Sequence, residues 1–137
     1  FFRSSPQFLY PWRNFLLTLF GAKIGKKVKI RPRARILFPW KIHIGDFSWV
    51  GDDVELYSMD IIEIGSNTVI SQGSYICTGS HNIKSNKFSL ITEPIVIGNN
   101  VWIAARCFVH QGVVVADNTI IPAMTNLNKS SVHEAGN

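Results

Sequence analysis

The chain is 137 residues long, 46% hydrophobic and 17% charged, with 14 Lys and Arg against 9 Asp and Glu for a formal charge of +5. That is one domain's length, with enough apolar side chain to bury a core without covalent staples. No run reaches the roughly 18 apolar residues of a membrane span and no signal peptide with a small-residue cleavage site is visible, so a cytoplasmic protein is expected, with Cys77 and Cys107 as reduced thiols.

In chain order, the first element is a helix over 6–20. Phe8, Leu9, Trp12, Phe15, Leu16, Leu19 and Phe20 recur there at mostly helical spacing. Residues 1–23 are expected to form an amphipathic cap over the open end of the domain behind it, as the terminal unit of a stacked fold requires. A second reading of the same segment is contact with a membrane surface. Arg3, Arg13, Lys23, Lys26, Lys27, Lys29, Arg31, Arg33 and Arg35 crowd into the first quarter, where they would attract anionic lipid, including the surface of the inner membrane. Nucleic acid is not expected as a partner, because bases need aromatic platforms interleaved with the cations and here the aromatics precede them.

From Ile24 a six-residue period takes over. Ile24, Ile30 and Ile36, then Ile44, Val50 and Leu56, then Ile64, Ile70 and Ile76, then Ile97, Ile103, Val109, Val115, Ile121 and Leu127 fill every frame position. Four residues after most of them stands a small or β-branched side chain: Val28, Ala34, Ser48, Val54, Thr68, Ser74, Ser80, Val101, Cys107, Val113, Thr119, Thr125 and Ser131. A period of six fits neither the 3.6 of a helix nor a lone alternating strand. It suits a coil with three flat faces and three corners, in which the first residue of each sextet points inward. The spacing predicts an all-β domain of five stacked coils over 24–137. The first two coils each carry two extra residues, and His43 falls within one such pair. Thirty-three residues separate Ile64 from Ile97, which predicts one inserted loop, placed at 82–96.

His81 closes the phrase Cys77-Thr78-Gly79-Ser80-His81-Asn82 at the point where the rhythm breaks. A histidine there would stand on the surface, beside a wall that the loop creates. His43, His110 and His133 show none of the short spacings of a zinc site, so no metal is expected. Asp52, Asp53, Asp60, Glu63 and Glu93 form no recognisable acid/base pair, and no phosphate-cradling glycine loop is present.

Phrases such as Ile44-Gly45-Asp46 and Ile97-Gly98-Asn99-Asn100-Val101-Trp102-Ile103 resemble the hexapeptide-repeat acyltransferases. The resemblance implies a left-handed parallel β-helix, a handedness opposite to the usual crossover rule and taken from the family alone. Trp12-Arg13-Asn14, Phe38-Pro39-Trp40, Leu56-Tyr57-Ser58 and Ser71-Gln72-Gly73, ahead of the Thr-Gly-Ser-His phrase, narrow the likeness to the acetyltransferases associated with colanic-acid biosynthesis. That implies transfer of acetyl from acetyl-CoA to a sugar hydroxyl of an exopolysaccharide precursor, with His81 as general base. It also implies a homotrimer with a site in each cleft. Trp102, Ala105 and Ala123 match positions that line the acyl-CoA arm, and Lys129 would meet a CoA phosphate. Tyr57, Ser58 and Asn82 occupy the acceptor neighbourhood.

The chain departs from the family at His110-Gln111-Gly112-Val113, where Asn-Pro-Gly-Val is usual, and at Asn128, where threonine is usual. It begins with Phe1 and stops at Asn137, short of the Pro-Ala and C-terminal tail common in the family, so a fragment at both ends is expected. Two other functions stay open: a scaffold that keeps the prism without the activity, and a zinc carbonic-anhydrase type of β-helix enzyme.

Overall fold

A computed structural model describes residues 2–129; Ser131 and His133 lie outside them. Its first element is helix α1, Tyr10–Leu19. It is shorter than the 6–20 expected from spacing, because Pro11 sits in the first turn, where its missing N–H and fixed φ are tolerated. The helix stops at Gly21, whose φ of +97° closes a paired terminus. There the N–H of Gly21 donates to the Thr18 carbonyl and that of Ala22 to Leu17 (2.9 and 3.0 Å). A Cβ on Gly21 would lie 2.8 Å from Cβ of Trp40.

Three parallel five-stranded walls follow, forming a left-handed parallel β-helix of five coils. The first wall is built from Lys23–Ile24, Ile42–Ile44, Ile62–Ile64, Ile95–Ile97 and Val114–Val115. The second is Lys29–Ile30, Trp49–Val50, Val69–Ile70, Trp102–Ile103 and Ile120–Ile121. The third is Arg35–Ile36, Glu55–Tyr57, Tyr75–Cys77, Phe108–Val109 and Asn126–Leu127.

The strand register puts all the sextet positions into three columns. Ile24, Ile44, Ile64, Ile97 and Val115 stack in the first wall. Ile30, Val50, Ile70, Ile103 and Ile121 do so in the second. Ile36, Leu56, Ile76, Val109 and Leu127 complete the third. Apart from Ile24 and Ile36 at the capped end, every member is buried. Burial of this interior drives the stacking.

The Ile-Gly-Asp/Asn phrase has a physical basis at the corners. The glycine there leaves no room for a side chain: a Cβ on Gly45 would stand 2.6 Å from Ser66 Oγ and 2.7 Å from the Gly65 carbonyl carbon. The Asp or Asn that comes next accepts a backbone N–H from the preceding coil. Asp46 does so from Lys26, Asn99 from Ser66 and Asp117 from Asn99, at 2.7 to 2.8 Å. Buried Ser48, Thr68 and Ser74 act similarly inside the corners, each donating to a carbonyl and accepting an N–H, where wall hydrogen bonding is interrupted. Ser80 is the exception among the corner residues, because it lies on the excursion.

That excursion differs from the expected 82–96. Gly79–His81 and Leu90–Thr92 pair antiparallel as a two-stranded hairpin. Ile95 and Val96 already belong to the first wall, opposite Ile62 and Glu63. The hairpin takes up residues that the six-residue count had assigned to the coil, so the departure comes earlier. His43 likewise stands in a wall strand, with Nδ1 3.5 Å from Glu63. The extra residues of the first coil form the short 3-10 turn Pro39–Lys41.

The basic N-terminal quarter is also less uniform than its sequence. Arg13 is fully buried on the inner face of α1. Arg31, Arg33 and Arg35 pair with Asp52, Asp53 and Glu55 of the next coil. Exposed cations unpaired with any described carboxylate remain at Arg3, Lys23, Lys26, Lys27 and Lys29.

Candidate active site

The departure of the hairpin is anchored by Thr78, the first residue of Thr78-Gly79-Ser80-His81. Its buried hydroxyl donates to the Tyr57 carbonyl at 2.7 Å and accepts the Asp60 N–H at 2.9 Å. Its carbonyl accepts the N–H of Glu93, where the chain returns. Tyr57 packs against the exit: a Cβ on Gly79 would touch its ring at 3.1 Å. The phrase therefore fixes the base of an arm that carries His81 outward, opposite Leu90.

At the tip, the Asn82 carbonyl accepts the Ser85 N–H and the Ser85 carbonyl accepts that of Phe88, while Asn82 Oδ1 caps the Lys84 N–H at 3.0 Å. Phe88 adopts a φ of +46°, a conformation that costs a non-glycine residue about 1 kcal/mol or more. Its carbonyl lies 2.9 Å from His81 Nδ1. A carbonyl only accepts, so Nδ1 carries a proton, and in the neutral ring Nε2 then holds the lone pair. An exposed imidazole held in this tautomer can remove a proton from a hydroxyl brought to Nε2. The Phe88 carbonyl has no side-chain signature, and nothing in the sequence identifies it as the group that orients His81.

The other expected site residues divide into groups. Trp102 is exposed on the second wall, and its indole N–H donates to Ser71 Oγ at 2.9 Å. Ala105 and Ala123 occupy the same corner, between the second and third walls, one coil apart. The Met124 N–H donates to the Ala105 carbonyl across that step. Together these three make a row along the corner, in which Ala105 and Ala123 present small side chains beside the exposed Trp102.

His81 leaves from the opposite edge of the third wall, so one chain does not by itself bring it to this row. Lys129 also lies off the row: it comes after the last strand of the third wall and is ion-paired with Glu93 at the foot of the hairpin. Tyr57 and Asn82 remain beside the His81 arm. Ser58 does not face a ligand: it is fully buried, accepting the Phe38 N–H at 2.9 Å and donating to the Phe38 carbonyl at 3.1 Å. Burial and a hydrogen bond with Cys77 push the Tyr75 phenol above its ordinary value, burial contributing most. Among the described residues no group of three or more His, Cys, Asp or Glu could hold a metal ion, and both cysteines are free.

Residues 94–129 match the bacterial transferase hexapeptide family of six repeats. Over 129 residues the chain is 54% identical to "Putative colanic acid biosynthesis acetyltransferase WcaF" of Escherichia coli K12, covering 94% of this chain and 71% of the relative. Among solved structures, it superposes on a hexapeptide-repeat-containing acetyltransferase from Vibrio cholerae, complexed with acetyl coenzyme A, with a TM-score of 0.78 and 25% identity over 86% of this chain and 66% of that one. A galactoside acetyltransferase in complex with coenzyme A gives a TM-score of 0.81 at 25% identity, over 89% of this chain and 62% of that one. With the repeat, the walls and the relatives in agreement, the chain belongs to the hexapeptide-repeat acetyltransferases.

Proposed function

We propose that this chain is a sugar O-acetyltransferase of exopolysaccharide biosynthesis, taking acetyl from acetyl-CoA and using His81 as general base. The observation that carries the reading is the hydrogen bond from His81 Nδ1 to the Phe88 carbonyl, which in the neutral ring selects the tautomer with the lone pair on Nε2. Nε2 takes the proton of the acceptor hydroxyl as its oxygen attacks the thioester carbonyl. The C–O bond forms, the tetrahedral intermediate collapses, the C–S bond breaks, and the proton passes from Nε2 to the departing sulfur. Trp102, Ala105 and Ala123 hold the acyl-CoA arm, and Tyr57 and Asn82 border the acceptor. The names of the E. coli relative and of the galactoside acetyltransferase support a sugar acceptor.

The working unit in this reading is a homotrimer. His81 and the Trp102 row lie on different edges of one prism, so a complete site needs a neighbouring chain. Ile83, Phe88 and Leu90 on the hairpin and Trp49, Trp102 and Ile120 on the second wall are exposed apolar surface that such a neighbour would cover. No described helix is long and apolar enough to cross a membrane. With both thiols free, we place the enzyme in the cytoplasm.

The test is CoA thiol release from acetyl-CoA with a panel of nucleotide- and lipid-linked sugars, comparing the protein with His81→Ala. Acceptor-dependent release that falls about 10²- to 10⁴-fold in the variant is expected. No release would leave a scaffold as the better account, and equal acceptor-dependent release from both proteins would remove His81 as the base.

A further inference from the structure

Charge is divided unevenly along this chain. The residues before Asp46 hold ten Lys and Arg and no carboxylate, whereas from Asp46 onward four Lys and Arg face nine Asp and Glu. In the fold the first group makes up the capped end of the prism; salt bridges and burial neutralise or hide Arg13, Arg31, Arg33 and Arg35, Lys41 is half-buried against the Met59 carbonyl, and Arg3 and four lysines are left. Lys23 and Lys29 point outward from the first two walls, with Lys26 and Lys27 at the corner between them. All four are exposed and unpaired with any described carboxylate, and the Lys29 ammonium lies 5.6 Å over the Trp49 ring.

Across the same end lies α1. Its inner face is fixed to the first coil: Arg13 Nε donates to the Ile30 carbonyl, Asn14 Nδ2 to the Val28 carbonyl, and Leu17 enters the core. At 100° per residue Trp12, Phe15 and Leu19 lie on the side opposite Arg13 and Leu17. They are 44%, 57% and 67% exposed, flanked by Phe8 and Phe20 at 75% and 61%. The helix thus has an inner face that is covered and an outer apolar face that is not.

We infer that the capped end docks on an anionic lipid surface, with α1 lying flat, Trp12, Phe15 and Leu19 in the headgroup boundary and the four lysines against lipid phosphates. Apolar side chains backed by unpaired lysines are the composition such a surface binds. A second copy of this chain is a poor occupant, because an isologous contact would set two lysine groups against each other. Docked this way, the prism stands on the membrane. His81, on the third coil, would sit about 20 Å above the lipid, from two strand spacings and one helix diameter. The inference is independent of the role proposed for His81.

The experiment is flotation of the protein with vesicles of phosphatidylglycerol and phosphatidylcholine, or of phosphatidylcholine alone, combined with sedimentation of the lipid-free protein. Flotation with the anionic vesicles only, reversed by high salt, is expected. Phe15→Ser with Leu19→Ser should weaken partition at least about tenfold. Lys23→Gln, Lys26→Gln, Lys27→Gln and Lys29→Gln together should weaken it about 10²- to 10³-fold, because each lysine near the surface contributes separately. Failure to float, equal flotation on uncharged vesicles, or a lysine variant that floats like the parent would overturn the inference. So would a serine variant that sediments as a smaller species without losing flotation, which would make the stripe a subunit contact.

Discussion

Arg13→Met isolates what holds the cap to the prism. The buried guanidinium donates to the Ile30 carbonyl at 2.7 Å, to Ser5 Oγ at 2.9 Å, to the Pro6 carbonyl at 2.8 Å and to the Gln7 carbonyl at 2.6 Å. It thereby ties the segment before α1, the helix and the second wall into one unit. Hydrogen bonds from a charged donor contribute about 1.5–3 kcal/mol each, and desolvation of the guanidinium offsets several kcal/mol of that sum. Burial in fact draws its pKa below the usual arginine value.

Methionine nearly fills the volume but leaves the Ile30 and Gln7 carbonyls and the Ser5 hydroxyl without a donor, the Pro6 carbonyl keeping the Leu9 N–H, so a net loss of about 2–4 kcal/mol is expected. Urea unfolding monitored by circular dichroism measures it, and limited trypsin digestion reports release of the segment around Arg3. Arg13→Lys should do no better than methionine, since a compact ammonium cannot reach four acceptors spread around a planar fork. A methionine variant within about 0.5 kcal/mol of the parent, with Arg3 equally protected, would refute the assignment of Arg13 as the clamp.

Thr78→Val keeps the side-chain shape but leaves the Asp60 N–H unsatisfied and the Tyr57 carbonyl with only the Thr78 backbone N–H. It should cost about 1–3 kcal/mol and lower kcat more than it raises KM, because the base of the His81 arm loosens; unchanged steady-state kinetics would count against that role. Ile76→Ala, at a fully buried position between Leu56 and Val109, should cost about 2–5 kcal/mol in urea unfolding. Val114→Ala, on the outer side of the first wall and 56% exposed, should stay within about 0.5 kcal/mol. Tyr75 is held neutral above the ordinary tyrosine value. Stability should therefore fall as the pH rises past about 10, where the unfolded chain ionises first. Tyr75→Phe should flatten that slope in urea midpoints measured across alkaline pH.

The sextet positions are legible because burial repeats: an inward residue every sixth place is the direct consequence of three flat faces, so the columns, the coil count and the site of the main insertion can be read from spacing. His81 stands out for the same reason, as a polar residue at the point where the rhythm breaks. The hairpin boundaries do not, since Gly79 and Ser80 keep the coil's residue types while their backbone pairs with Ile91 and Thr92. Arg13 resembles the surface cations around it, because sequence distance hides the carbonyls of Pro6, Gln7 and Ile30 that allow a charge to be buried. Ser58 is lost as a ligand contact for a related physical reason: the Phe38 backbone occupies its hydroxyl.

The prism can be specified residue by residue, because its period is written in side-chain hydrophobicity and needs no knowledge of distant partners. Which histidine nitrogen is free and which lysines are left unpaired are properties of the folded chain alone. They depend on hydrogen-bond and ion-pair partners brought together from distant places in the sequence, and on a backbone carbonyl that every residue possesses and only the fold aims.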